Sequence, residues 1–244
     1  RERDHDHRGV KGVKAFHRWL RNQLKAGHGW DRISRNVLTA KGDVRENPEV
    51  GYFMTTISFS SLEDSTLTEA VSQSFLGMRI GCARCHNHPL ERYTQDDFYH
   101  LMACFKKVSM NRVKPEKGGT ELWVKTKDQA NVMKQITKLI DEVAKMEQEG
   151  KSKEEIEKKN KDLEHQRKRL TDLADQKLTV QQPRTRKQLP PQTLDRKALK
   201  VEGGEDPREA LVDWMVGRSE FSGAMVNRIW KHFFGAGIVE PVDD

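Results

Sequence analysis

The chain has 244 residues, 35% of them apolar and 33% charged, with a net charge of +7 at neutral pH. A mean hydropathy of −0.85 is too polar for one dense globule throughout, so compact helical parts separated by a solvated, charged segment are expected. No stretch approaches the ~18 apolar residues of a membrane span, and Lys and Arg are interleaved with Asp and Glu with no nucleic-acid motif, so neither a transmembrane segment nor a nucleic-acid partner is expected.

Residues 1–12 are charged and read as a poorly ordered lead-in. The chain starts at Arg1 as though inside something longer, and the remainder of that longer chain is an expected partner. From Val13 to Lys25 the spacing of Val13, Phe16, Leu20 and Leu24 predicts a helix with those residues inward and Trp19 beside them. Gly27 and Gly29 stop it, and Asp31 caps a short helix that turns Ile33, Val37 and Leu38 inward. Residues 41–61 read as a loop, extended over Tyr52–Ile57. Thr66-Leu67-Thr68-Glu69 has the form of a capping box, opening a helix with Leu67, Val71, Phe75 and Leu76 on its buried side.

That helix leads into Cys82-Ala83-Arg84-Cys85-His86, the attachment signature of c-type haem. Two thiols three residues apart on a helical turn can both reach the porphyrin vinyl groups and form thioethers, and the next residue, His86, is carried under the ring as the proximal ligand of the iron. The third cysteine, Cys104, falls in an apolar helical pattern and reads as a small buried hydrophobe; an odd, low count is no disulfide scaffold.

Thr94-Gln95-Asp96-Asp97 starts the next helix, whose apolar stripe is Phe98, Leu101, Met102 and Phe105. His100 and Met102 are candidates for a second axial ligand, with packing as the simpler role for Met102. Residues 106–119 read as an exposed basic connection. From 127 to 177 the pattern changes: Ile136, Leu139, Ile140, Val143 and Met146 form one seam, and Ile156, Leu163 and Leu170 recur at intervals of seven. Gly150 and a capping box at Ser152 and Glu155 divide the segment into a charged antiparallel helical hairpin. Leu178 to Gly204, with three prolines, reads as an extended linker. Asp206-Pro207 opens a helix bearing Leu211, Trp214 and Met215, and a last helix with Met225, Ile229, Trp230, Phe233 and Phe234 closes at Gly235 and is expected to bury its aromatics against the N-terminal helices.

Two stretches resemble a known pair of domains. Residues 75–89, Phe-Leu-Gly-Met-Arg-Ile-Gly-Cys-Ala-Arg-Cys-His-Asn-His-Pro, with Thr94 to Tyr99, resemble the cytochrome-c-like domain abundant in Planctomycetes and their relatives. Ala224 to Gly235, with Gly237, Val239, Pro241 and the two final aspartates, resembles the opening of its usual partner domain. Both families are largely of unknown function. The resemblance implies an exported protein, periplasmic or at the cell surface, that bears haem and forms an internal portion of a longer chain. It also makes His88 and His232, inside the matched motifs, better candidates for some role shared across the family, whereas His100 stands where relatives would carry a small residue.

The expected architecture is mainly α: a helical cytochrome-c-like module over 1–112, a charged hairpin insertion with its connection over 113–182, and a linker with the start of a second helical module over 183–244. The expected cofactor is one covalent haem c on Cys82, Cys85 and His86. His88 is too close in sequence to His86 to cross to the opposite haem face and is placed in hydrogen bonding near a propionate or the proximal loop. His100, Met102 and His232 remain for the second axial position. A second His or Met ligand would suit electron transfer to a redox partner, and an open position would suit oxygen or peroxide chemistry. The alternative is a scaffold protein in a larger assembly, with zinc on Cys82, Cys85, His88 and one further ligand, or with an inert thiol pair. No Ser-His-Asp order, P-loop or Rossmann fingerprint argues for a hydrolase or nucleotide enzyme.

Overall fold

The structure, a computed structural model, describes residues 10–56, 64–113, 119–124, 127–174, 178–199, 201 and 205–242; most of the expected lead-in, residues 1–9, lies outside them. The chain is mainly α-helical: α1 Val10–Lys25, α2 Trp30–Leu38, α3 Gly51–Thr56, α4 Asp64–Val71, α5 Gln95–Ala103, α6 Lys127–Gln148, α7 Lys153–Ala174, α8 Pro207–Val216 and α9 Ser219–Phe234. A small antiparallel sheet has the order β1-β3-β2, from β1 Gly42–Asp43, β2 Val108–Val113 and β3 Gly119–Val124, and β4 Val180–Gln181 pairs with β5 Gln188–Leu189. The chain forms two compact units. One comprises Arg1–Val124, Leu178–Val201 and Asp206–Asp244, and the other Lys125–Lys177 with Glu202–Glu205.

The second unit is the charged hairpin. Ser152 Oγ accepts the Glu155 amide at 3.3 Å and the Ser152 amide donates to the Glu155 carboxylate at 3.4 Å, the reciprocal pair of a capping box that starts α7. Gly150, at φ +66°, supplies the left-handed residue that ends α6. Lys138–Glu142 and Lys161–Glu157 pair along the helices, and Lys159–Glu142 at 2.6 Å ties one helix to the other.

The first unit has one core, built from Val37 and Leu38 of α2, Phe53 of α3, Leu67 and Val71 of α4, Phe98 and Leu101 of α5, and Leu211 and Met215 of α8. Residues 48–56 depart from the expected loop with an extended end. Pro48 starts a short 3₁₀ turn that runs into α3, because Val50, Phe53 and Met54 fall on one helical face and bury there; Ile57 lies outside the described residues. The predicted box at Thr66 is not the helix start, since α4 begins at Asp64 and Thr68 is buried within it. Gly29, with no side chain to cap it, precedes α2, and Asp31 sits in the first turn, where its charge suits the helix N-terminus.

Two segments read as irregular are ordered. Residues 108–113 form β2, in register with β3 from Val108↔Val124 to Val113↔Gly119. The apolar/polar alternation of Val108-Ser109-Met110-Asn111 covers only four residues and breaks at Arg112 and Val113, too short a pattern to mark a strand among the surrounding lysines. The expected linker is a strap laid across α5. Gln182 donates to Gln95 at 2.9 Å, the Gln192 amide donates to the His100 carbonyl at 3.3 Å, and Val180, Leu189 and Leu194 are buried.

Arg196 on the strap forks onto both carboxylate oxygens of Asp97 at 3.1 Å, while the Thr94 amide donates to the same carboxylate at 2.7 Å. Burial pushes the Asp97 carboxyl up, but the Arg196 guanidinium and the Thr94 donors outweigh it and leave its pKa below the usual carboxylate value. A depressed folded pKa stabilises the fold at neutral pH and is lost as the pH falls from the unfolded value, about 3.9, through the folded one. Asp97→Asn is therefore expected to cost about 1–2 kcal/mol at neutral pH. In urea titrations the gap to the wild type should narrow as the pH is lowered below the unfolded value of about 3.9; a gap that stays constant there would refute the assignment.

Candidate functional site

The motif is reached through a sequence of tight turns. After α4 the helix widens into a π turn over Ser72–Leu76 and stops at Gly77, whose φ of +65° lies in the left-handed region. A Cβ on Gly77 would also come within 3.1 Å of Ala224 Cβ on α9, so glycine is needed here on two counts. Arg228 of α9 donates to the carbonyls of Gln73 and Ser74, satisfying groups freed at the helix end, and Ser72 Oγ donates to the Met78 carbonyl at 3.0 Å.

Cys82 then falls in a 3₁₀ turn over Ile80–Arg84, capped at its C-terminus by Cys85. With three residues per turn, Ile80 and Ala83 share one edge and Cys82 and Cys85 another. Ile80 and Ala83 are buried, at 1% and 0% exposure, so the turn is planted by that edge while both cysteines lie exposed as free thiols. The amides of Cys85 and His86 converge on the Cys82 carbonyl at 3.3 and 3.4 Å. The thiols thus lie on a 3₁₀ turn rather than on a continuation of α4.

Neighbouring groups fix this turn from outside. The Arg84 carbonyl accepts from Gln95 Nε2 at 2.9 Å and from the Tyr99 hydroxyl at 3.3 Å, and Asn87 Oδ1 accepts from the Gln95 amide at 3.1 Å. Burial raises the Tyr99 phenol above its ordinary pKa, so it acts as a neutral donor. No spacing rule marks Gln95 or Tyr99; the one available signal is that a buried tyrosine needs a partner for its hydroxyl.

The two histidines that follow differ in role. His86 is exposed, and its Nδ1 lies 2.7 Å from the Asn87 carbonyl, so it carries the proton there and Nε2 is left open for a ligand. His88 is fully engaged. Its Nδ1 accepts the amides of Leu90 and Glu91 at 3.3 and 2.9 Å, and its Nε2 donates to the Arg79 carbonyl at 3.1 Å. It clasps the two ends of the motif segment together.

The other candidates are distributed around the unit. His100 donates through Nδ1 to the Pro190 carbonyl at 2.7 Å, on the strap, and Met102 is half-buried against the core. Cys104 is fully buried and its thiol is pushed up to about 12 by desolvation, an inert packing residue. His232 lines a cleft of about 530 Å³ with Arg79, Arg228, Lys231 and Glu240. Arg79 immediately precedes the 3₁₀ turn, so this cleft adjoins the motif segment. Asn227 holds the cleft's C-terminal wall through both the amide and the carbonyl of Val239, at 3.0 and 2.7 Å. Among the described residues no group of three or more His, Cys, Asp or Glu is gathered around a metal-sized space.

The aromatic end of α9 departs from expectation. Phe221 stacks on Trp30 and is buried, but Ile229, Trp230, Phe233 and Phe234 are exposed, Phe233 by 74%. Among the described residues no helix is long and apolar enough to cross a membrane.

Neither a curated protein nor a solved structure matches the chain. Residues 1–110, which contain the whole motif and its clasp, match the family model described as PSCyt2, protein of unknown function (DUF1549), a planctomycete-type domain.

Proposed function

We propose that Cys82, Cys85 and His86 attach one haem c, and that the chain works as an exported monohaem redox module passing electrons to a partner. The observation that carries this reading is the division of labour on the 3₁₀ turn, with two free thiols exposed on one edge and the next histidine presenting an open Nε2. An iron-ligating imidazole whose other nitrogen donates to a backbone carbonyl is the usual second-sphere arrangement, so the donor set fits the group. Bound there, the haem would supply one-electron iron chemistry.

The chain's own residues divide the remaining work. Cys82 and Cys85 would hold the ring, and the Asn87 carbonyl sets the His86 tautomer. His88, with both ring nitrogens engaged, holds the turn and takes no part as a ligand. The cations of Arg79 and Lys231 in the adjoining cleft suit the two carboxylates of a haem edge. His232, which lines the same cleft as Arg79, would be the further residue of this chain to help hold the group. Thioether attachment of this kind takes place outside the bacterial cytoplasm, which is the ground for proposing export to the periplasm or cell surface.

The test is a haem stain on a denaturing gel, with a pyridine haemochrome spectrum, on protein made alongside a c-type maturation system. A stained band in the wild type, absent from a Cys82→Ala, Cys85→Ala variant, is the expected result. An unstained wild-type band would end the proposal, and stoichiometric zinc on that sample would move the site to the metal-stapled alternative.

A further inference from the structure

Helix α1 carries Lys11, Lys14, Arg18, Arg21 and Lys25 over Val10–Lys25 and not one carboxylate. Four of these cations, Lys14, Arg18, Arg21 and Lys25, recur at steps of four, three and four, so they form one stripe along the helix. All four are exposed, and among the described residues none makes an ion pair or hydrogen bond. Cations elsewhere are treated differently: Arg196 pairs with Asp97, Arg208 with Asp206 and Arg218 with Glu220. Like charges at these spacings repel one another, and nothing within the described chain offsets that repulsion.

The opposite face of α1 is anchored. Gly12 packs against Met54 and Val44 closely enough that a Cβ there would meet Met54 Sδ at 2.8 Å, and Phe16 and Trp19 pack on the core. The helix therefore cannot roll, and the stripe is held outward as a straight array roughly 16 Å long at 1.5 Å per residue. Val13 and Leu24, predicted to face inward, instead stand at its two ends with 36% and 55% exposure.

We propose that this face of α1 docks on an anionic lipid surface, a membrane rich in phosphatidylglycerol-like headgroups. A flat, rigid row of cations matches a plane of phosphates. Lys and Arg can extend their charged ends to the headgroups, while Val13 and Leu24 enter the acyl boundary beside them. A single-stranded nucleic acid would call for aromatic platforms among the cations, and the aromatics of α1, Phe16 and Trp19, pack on the core. The docking is peripheral, with the apolar side of the helix retained in the protein, and it is independent of whether haem is attached.

The test is flotation of the full chain with vesicles of mixed phosphatidylglycerol and phosphatidylcholine, against phosphatidylcholine alone. Binding is expected only to the anionic vesicles, with release at high salt. The variant K14Q/R18Q/R21Q/K25Q is expected to bind on the order of 10³-fold more weakly, with a melting curve no lower than that of the wild type, because all four side chains are exposed and their mutual repulsion is relieved. Should that variant fail to fold, R18Q/R21Q is expected to lose roughly 30-fold. Undiminished binding by a folded variant, equal binding to the two vesicle types, or displacement from vesicles by an equal charge concentration of duplex DNA would each overturn the proposal, the last in favour of a nucleic-acid partner.

Discussion

Arg208→Met is expected to destabilise the first unit by about 3–5 kcal/mol, the cost of stranding one partner of a buried ion pair. Arg208 is fully buried, at 0% exposure. Its guanidinium forks onto Asp206 at 2.7 and 3.0 Å, donates to the carbonyl of Ala40 at 3.1 Å and of Thr39 at 3.4 Å, and lies over the Phe53 ring. Those carbonyls stand at the C-terminal end of α2, where unsatisfied acceptors and the negative end of the helix dipole call for a cation. The same Asp206 caps α8 by accepting the Arg208 amide at 3.1 Å. One residue pair thus closes the end of one helix and opens another. Methionine fills the volume but leaves the carboxylate with the backbone amide of residue 208 and no guanidinium, and takes the guanidinium donors from both carbonyls. A thermal melt should fall by roughly 10 °C at 2–4 °C per kcal/mol, and the double variant R208M/D206N should recover part of the loss. A single variant melting within about 2 °C of the wild type would show that the pair contributes little.

The second large effect is local. His88→Ala removes three hydrogen bonds around the motif, each contributing about 1 kcal/mol. Amide exchange at Leu90 and Glu91, whose N–H groups now end on His88 Nδ1, should accelerate by about 10²-fold. His88→Asn should retain most of the protection, since a side-chain oxygen can accept the same two amides. If both amides already exchange freely in the wild type, the clasp is not formed in solution and His88 returns to the set of candidate ligands.

Helix periodicity and glycine punctuation carry far in this chain. The hairpin, the helix start at Thr94, the proline-led start of α8 and the Gly235 terminus of α9 are all legible, because each depends on neighbours within four residues. The segment at 48–56 and the strap at 180–199 were not. Their order comes from partners far along the chain, such as Arg196 on Asp97 and Gln182 on Gln95, which no local pattern encodes. For the same reason Cys82, Cys85 and His86 could be picked out by spacing, but not the groups that hold them. The donors to the Arg84 carbonyl and the Arg228 contact at the π turn are long-range, and for His88 the sequence suggests hydrogen bonding but not the Arg79, Leu90 and Glu91 partners that make it a clasp. The aromatic face of α9 shows the opposite error, since hydrophobic spacing states which residues share a face and not that the face is covered.

The position of the hairpin bears on how the first unit assembles. The strap must cross α5 after the ribosome has delivered all of Lys125–Lys177, and closing a disordered loop of that length before any contact rewards it would slow the search. An antiparallel helix pair made of neighbouring turns can form early from local contacts alone, and once formed it returns the chain to near its point of departure. The insertion then acts as a tether shortened in advance, so a long-range closure is reached at nearly the entropic cost of a short one.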